Sequence, residues 1–365
     1  FLGLRNLDVI TDALALIERT TGTVVDIDAV DLEDGQTYEM LSSGDSIGVF
    51  QLESGPMRSL MRSLAPSTFE DVAALVALYR PGPMAANMHN DYADRKNGRK
   101  KVEFFHPDAE ELLADTYGLM IYQESVMRVA QKFAGYSLAD ADNLRKACGK
   151  KIRELMAKER QAFVTGCEDT GYGSALGEEL FDVIEQFADY AFNKSHSYGY
   201  GYIAYQIAWL KAHHPVEYLA ALLTSVKSNL DKAAVYLNEC RVLDIEVTVP
   251  DVNVARSDFE PVPNVVAGQG PEANGAGSEP GESPGRIVFG LSAVRNVGEG
   301  LVELIVAERD EGGPFIDFYD FCERCDTTVL NKRAVESLIK AGAFDAMGHA
   351  RQGLLHAHEQ IIDHT

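Results

Sequence analysis

The sequence predicts a mainly α-helical protein: a large helical region, then a small β element, then a smaller helical unit. Two observations carry that prediction. Apolar residues recur at three- and four-residue spacing through most of residues 4–243, as in Leu4, Leu7, Ile10, Leu14 and Ile17. Strand-like patterning is confined to the alternation of Ile245, Val247 and Val249 and to the apolar run at 286–291. At 365 residues and 46% hydrophobic, the chain is long enough for two or three domains with sizeable cores.

In chain order, residues 4–19 read as an amphipathic helix stopped by Gly22. Residues 35–64 read as short helices around a turn at Phe50-Gln51-Leu52-Glu53-Ser54. Residues 67–80 read as a helix capped by Ser67, with Phe69, Val72, Leu75, Val76 and Leu78 inside and Pro81-Gly82-Pro83 ending it. Further helices are expected over 107–115, 122–134, 137–147, 152–169, 175–188, 200–213, 215–227 and 229–243. The alternation at 245–249 leads through Pro250-Asp251-Val252-Asn253 into a turn. Residues 264–285 carry Gly, Pro, Ser, Asn and Glu with almost no large apolar side chain, so burial cannot offset their ordering entropy. They read as a flexible insertion whose far side, 286–291, supplies the partner strand. Residues 292–365 read as the smaller helical unit. In it, Val297-Gly298-Glu299-Gly300 lies between two helical patterns, an h-G-x-G hairpin like that of helix-hairpin-helix DNA-binding modules. Glycines there let backbone N–H groups approach a phosphate closely. A packed helix pair without DNA contact is the plain alternative.

Charge narrows the function. The chain carries a formal net charge of −23, which argues against a protein that simply coats nucleic acid. Against that background three cationic features stand out. One is Arg145-Lys146 with Lys150-Lys151, in a segment whose only anions across 143–160 are Glu154 and Glu159. Another is the run Arg95-Lys96-Asn97-Gly98-Arg99-Lys100-Lys101. The third is Asn193-Lys194-Ser195-His196-Ser197, a polar loop directly before an apolar helical run in which Ser195 or Ser197 could cap the helix. A capped helix start beside a Lys and a His is an anion site in outline. An ordinary capped helix and solvated basic faces are the plain readings. Asp26-Ile27-Asp28 reads as a surface turn rather than a metal site, and Cys322-x-x-Cys325 lacks a second pair with zinc spacing. The five scattered cysteines suit reduced thiols in a cytoplasm, and no apolar run nears transmembrane length.

Several stretches taken together resemble the bacterial replicative DNA polymerase III alpha family, the C-family polymerases. They are Phe1-Leu2-Gly3-Leu4-Arg5, Val49-Phe50-Gln51-Leu52-Glu53-Ser54, Ala77-Leu78-Tyr79-Arg80-Pro81-Gly82-Pro83, Thr116-Tyr117-Gly118, Tyr122-Gln123-Glu124, Leu144-Arg145-Lys146-Ala147, Phe192-Asn193-Lys194-Ser195-His196-Ser197 and Trp209-Leu210-Lys211-Ala212-His213. They run in the family's order over nearly the whole chain. The resemblance implies a fingers domain at 1–245, a short β connection at 246–291 holding the insertion, and a tandem helix-hairpin-helix DNA-binding region at 292–365. It implies that Asn193, Lys194, Ser195 and His196 face the incoming triphosphate, with Arg145 and Lys146 near its phosphates. The family usually has Arg-Arg where this chain has Arg145-Lys146, and Lys neutralises phosphate as a point charge rather than a fork. Lys150 and Lys151 support the same field or the template backbone. Arg80 and Gln123 either touch DNA or brace the fingers. Val297, Gly298 and Gly300 are the expected duplex contacts.

The same resemblance places the chemistry elsewhere. The family's catalytic aspartates lie upstream of the stretch that begins at Phe1, so this chain is expected to be a piece of a longer protein with no catalytic or metal-binding residue and no primer extension of its own. Mg2+ is implied as a cofactor of the palm together with dNTP. Primer–template DNA, dNTP, a sliding clamp and other replisome subunits are the implied partners, in a cytoplasmic setting with no membrane. A non-enzymatic DNA-binding scaffold and an error-prone repair-type paralogue are the competing readings.

Overall fold

The computed structural model describes residues 5–150, 153–188, 192–263 and 285–365. The expected insertion, apart from Gly285, and Lys151 lie outside the described residues, as does the side chain of Lys150. Eighteen α-helices and one three-stranded sheet are described. In chain order they begin with α1 (Arg5–Thr21), α2 (Gly35–Ser43), α3 (Gly55–Leu64), α4 (Phe69–Leu78), α5 (Pro81–Ala85) and α6 (Met88–Lys96). Next come α7 (Glu110–Leu113), α8 (Gln123–Ala134), α9 (Leu138–Lys150), α10 (Arg153–Asp169), α11 (Ser174–Ala188) and α12 (Lys194–His213). Then follow α13 (Pro215–Ser225), α14 (Leu230–Val242), β1 (Glu246–Thr248), β2 (Glu260–Pro263) and β3 (Gly285–Val288). The chain closes with α15 (Glu299–Gly312), α16 (Phe318–Arg324), α17 (Lys332–Ala341) and α18 (Arg351–His364). Among the described residues no helix is long and apolar enough to cross a membrane.

Two compact units form, one of residues 30–208 and one of residues 1–29 with 209–365. In the first, α8 to α11 pack around Phe133, Leu144, Phe163, Cys167 and Phe181. In the second, a separate core gathers Leu291, Ile305, Phe318, Phe321, Leu338 and Phe344. Cys322 and Cys325 are buried in that core, and burial pushes both thiols up to about 12. They are core thiols, as the plain reading has it. β3 is the central strand, parallel to β1 (Val247 opposite Ile287) and antiparallel to β2 (Pro261 opposite Ile287). The sequence reading found β1 and β3 but missed β2, whose two prolines hide a strand that sits on the sheet edge, where a missing N–H is tolerated.

Several local expectations need correction. The cap of α4 is Thr68 rather than Ser67, closing a capping box with Asp71. Pro81 and Pro83 open a short helix rather than simply ending one, because proline suits the first helical turn. Residues 107–116 form 3₁₀ turns around the four-residue α7 rather than one helix. The basic run at 95–101 begins inside α6, which the sequence reading did not see. Helix α12 starts at Lys194, not near residue 200, so the polar residues expected in a loop form its first turn.

That early start has a packing reason. Ser197 is fully buried and its Oγ donates to the Ala73 carbonyl at 2.5 Å. One turn on, a Cβ placed on Gly201 would meet Ala73 Cα at 3.1 Å. Ser197 and Gly201 therefore form one flat stripe that lets the α12 backbone approach α4. Gly199 faces open space instead. Gly201→Val should then cost about 1–3 kcal/mol through overpacking. Gly199→Ala should be neutral or stabilise by up to about 1 kcal/mol. Urea unfolding of the two variants checks the contrast.

Candidate nucleotide and DNA contact sites

In the unit of residues 30–208, a short backbone pairing assembles the predicted nucleotide residues. Gln123 N–H donates to the Phe192 carbonyl at 2.9 Å and Phe192 N–H donates to the Ile121 carbonyl at 3.1 Å. The start of α8 is thereby joined to the start of α12. Glu124 reinforces the joint: its carboxylate accepts from the Lys194 N–H and from Asn193 Nδ2, both at 2.9 Å. Asn193 is the residue that caps α12, accepting from the His196 N–H at 2.8 Å. Neither Ser195 nor Ser197 does so. Glu124 thus satisfies one of the free N–H groups at this helix start, that of Lys194, and its charge suits the helix dipole.

Those side chains form one connected set. The Arg80 guanidinium lies 4.6 Å over the Phe192 ring, and its Nη1 is buried without a hydrogen-bond partner. His196 meets the same ring at 5.3 Å and Tyr200 at 4.3 Å, and Tyr200 meets Phe50 at 5.5 Å. Gln123 accepts from Arg145 Nη1 at 3.5 Å. Asp142 holds Arg145 Nη2 and Lys146 Nζ, each at 2.7 Å. The Lys146 ammonium and then the Arg145 guanidinium keep the Asp142 carboxyl below its usual range. Lys194 Nζ sits 2.9 Å from Asp115 and 5.4 Å over the rings of Tyr122 and Tyr198. Burial alone would lower the Lys194 pKa, but the Asp115 hydrogen bond and charge outweigh it and raise the value. Asn193, Ser195, His196 and Lys146 are exposed.

Within this cluster Arg80 stacks on Phe192 and Gln123 bridges from Phe192 to Arg145. Asp115, Glu124, Asp142 and Phe192 are the members that sequence reasoning left without a role. Asp142 was open to discovery, since it lies three and four residues before its partners on one helix. Asp115 was not, because 79 residues separate it from Lys194. The basic run at 95–101 is spent on structure: Lys96 reaches the Leu64 and Ala65 carbonyls and the buried Asp71, while Arg99 and Lys100 pair with Asp94 and Asp91.

In the other unit, the two hairpin stretches differ. Val297 is buried, so its side chain belongs to the core. Gly298 is the N-cap of α15 with no side-chain capping bond, and Gly300 stands in the first turn. A Cβ on either would meet nothing within 4 Å, and neither has a positive φ. Nothing among the described residues requires glycine at these positions. Glu299 between them is tied to Lys227 Nζ at 2.5 Å, and Lys227 also reaches Asp258 at 2.8 Å and Ser292 Oγ at 3.2 Å. The stretch from Leu330 to Phe344, which resembles the degenerate partner hairpin of the tandem, runs through α17 and ends at Ala341-Gly342-Ala343-Phe344 in a packed helix end. Gly342 takes φ 94° as the C-cap of α17, and the Ala343 carbonyl accepts from Val252 N–H. Among the described residues no group of three or more His, Cys, Asp or Glu side chains could hold a metal ion. Asp26 and Asp28 share an exposed turn in which the Asp28 N–H donates to Asp26 Oδ1 at 3.1 Å.

Comparison with known proteins fits this division. Residues 6–171 match the family described as the bacterial DNA polymerase III alpha subunit finger domain, and residues 244–354 match the helix-hairpin-helix motif. The chain is similar to DNA polymerase III subunit alpha of Mycobacterium tuberculosis strain H37Rv, with 50% identity over 367 residues, covering 100% of this chain and 29% of the relative. It is similar to the same subunit of Pseudomonas aeruginosa PAO1, with 42% identity over 372 residues, covering 100% and 30%. For Escherichia coli K12 the figures are 40% over 366 residues, 98% and 30%. The chain therefore spans less than a third of the length of these relatives.

The double role of Glu124 is testable. Glu124→Ala should cost about 1 kcal/mol by leaving the Lys194 N–H and Asn193 Nδ2 without their acceptor and removing a negative charge from the start of α12. A urea midpoint shifted downward with an unchanged slope is the expected result.

Proposed function

The chain belongs to the bacterial DNA polymerase III alpha subunit family, of which it holds the finger domain and the helix-hairpin-helix region, and from that premise we propose that it serves a replicative DNA-directed DNA polymerase as a binding part. In this reading residues 1–245 meet the incoming dNTP and the template, and residues 292–365 meet duplex DNA across the connection at 246–291. The observation that carries the nucleotide half is the gathering of Arg145, Lys146, Asn193, Lys194 and His196 in one connected cluster within residues 30–208. Phosphate oxygens would replace Asp142 and Asp115 as partners of those cations, exchanging one charge-assisted pair for another. His196 and Ser195 would add donors from an exposed helix turn. Lys150 and Lys151 extend the same cationic segment in this reading.

Mg2+ would supply neutralisation of the triphosphate and activation of the primer hydroxyl when bound with it. The described residues assemble no ligand set for it and are assigned to binding and orientation alone. Sliding clamp and replisome contacts belong to the whole protein in this reading.

Two experiments test the halves separately. In a polymerase carrying this chain, Lys194→Ala, His196→Ala and Arg145→Ala should each raise the KM for dNTP or lower kcat by roughly ten- to hundredfold, with primer–template affinity changing much less. Early melting with normal kinetics per folded molecule would assign the cluster to structure instead. For the hairpin, Gly298→Ala and Gly300→Ala should leave melting unchanged or slightly raised, since both positions have open space. Their affinity for a duplex, read by fluorescence anisotropy at low salt, should fall, because a methyl group stands where a phosphate would approach.

A further inference from the structure

The unit of residues 1–29 with 209–365 holds a cavity of about 880 Å³ whose lining includes neither Gly298 nor Gly300. Its apolar lining comes from Leu237, Val247, Val249 and Val294. Its rim carries Arg241, Arg295 and Arg333, all exposed. None of these guanidiniums takes part in an ion pair or side-chain hydrogen bond among the described residues, in a chain of net charge −23 in which other arginines, Arg99, Arg160, Arg324 and Arg351 among them, are ion-paired. Lys340, also on the rim, is spent on Glu336 at 2.6 Å. Asn296 Nδ2 donates to Ser337 Oγ at 3.0 Å, tying the segment before α15 to α17 at the cavity wall.

The cavity is lined by four consecutive residues, 247 to 250. Side chains of successive strand residues point to opposite faces, so such a lining presents the strand's edge rather than one face. β1 is an outer strand of the sheet, with β3 on its only paired side. Among the described residues, the backbone of 246–250 makes no hydrogen bond beyond that pairing. An open edge, an aliphatic floor and three unpaired arginines therefore meet in one place.

We propose that this cavity docks an extended acidic peptide segment, which adds along the open edge of β1, seats aliphatic side chains on the floor and places its carboxylates against Arg241, Arg295 and Arg333. The chemistry favours a peptide over nucleic acid on two counts. A phosphodiester backbone has no N–H donors to offer the β1 carbonyls, whereas a strand has both donors and acceptors. Base stacking needs a free aromatic face, and Phe289, the sole aromatic lining the cavity, is packed against Phe259 at 4.7 Å. An arginine rim over an apolar floor is also the composition of a protein interface.

The test is fluorescence anisotropy on the chain with three labelled probes: a short peptide of alternating Asp and Val, the same peptide with Lys for Asp, and a short DNA duplex. The acidic peptide should bind and the lysine peptide should not. Arg295→Glu with Arg333→Glu should weaken the acidic peptide by at least about tenfold, the loss of two charge-assisted contacts. Val249→Asp should weaken it too, and folding should survive because that side chain is 54% exposed. Neither the peptide nor Val249→Asp should alter duplex binding. On hydrogen exchange, amides at 246–249 should gain protection with the acidic peptide. Failure of that peptide to bind, indifference to the arginine substitutions, or absent amide protection overturns the proposal. Tighter duplex binding through the same three arginines reassigns the cavity to nucleic acid, and leaves the hairpin reading standing or falling on its own glycine variants.

Discussion

The cluster of Arg80, Gln123, Arg145, Phe192, Lys194 and His196 depends on two backbone hydrogen bonds, those that pair Ile121 and Gln123 with Phe192. Each is worth only about 1 kcal/mol net. Their importance is geometric. They bring the first turn of α8 beside the first turn of α12, and every other contact of the cluster builds on that register. Glu124 can then reach the α12 N-terminus, Phe192 can lie under Arg80 and beside His196, and Gln123 can reach Arg145. Moving Phe192 by one residue would turn its ring to the other side of the pairing and leave Arg80 without a platform.

Electrostatics then divides the cations of an acidic chain into those buried in the fold and those that stay at its surface. Lys96 is consumed, because it neutralises Asp71 at the heart of the α4 capping box. Arg145, Lys146 and Lys194 are held in place by Asp142 and Asp115, yet remain half-buried or exposed, where an ion pair is weak and exchangeable. Pairing with a carboxylate on the same unit keeps each of these cations in a defined position. Lys227 plays the opposite part in the other unit. It fastens Glu299 to Asp258 and Ser292, fixing the approach to α15 while both neighbouring glycines stay open.

Helical periodicity was enough to read the class of the fold and most of its elements, because burying one face of a helix imposes a local spacing on the apolar residues. Where the reading slipped, a nonlocal partner was responsible. α12 begins six residues before the apolar run because Ser197 and Gly201 pack on Ala73, and a Ser/Gly stripe carries no hydrophobic signal. β2 was invisible because Glu260–Pro263 offers few apolar residues and gains its strand character only by pairing with β3.

By itself, the sequence determined a mainly helical chain, its family motifs in order, the cationic residue types and the two glycines of the first hairpin. Only tertiary structure decided which cations were already paired, that Glu124 accepts from the Lys194 N–H at the start of α12, and that Val297 belongs to the core. The physical reason is range. Helix spacing and capping act over three or four residues and leave a pattern along the chain. Charge compensation acts in space: Asp115 neutralises Lys194 across 79 residues with no pattern linking the two.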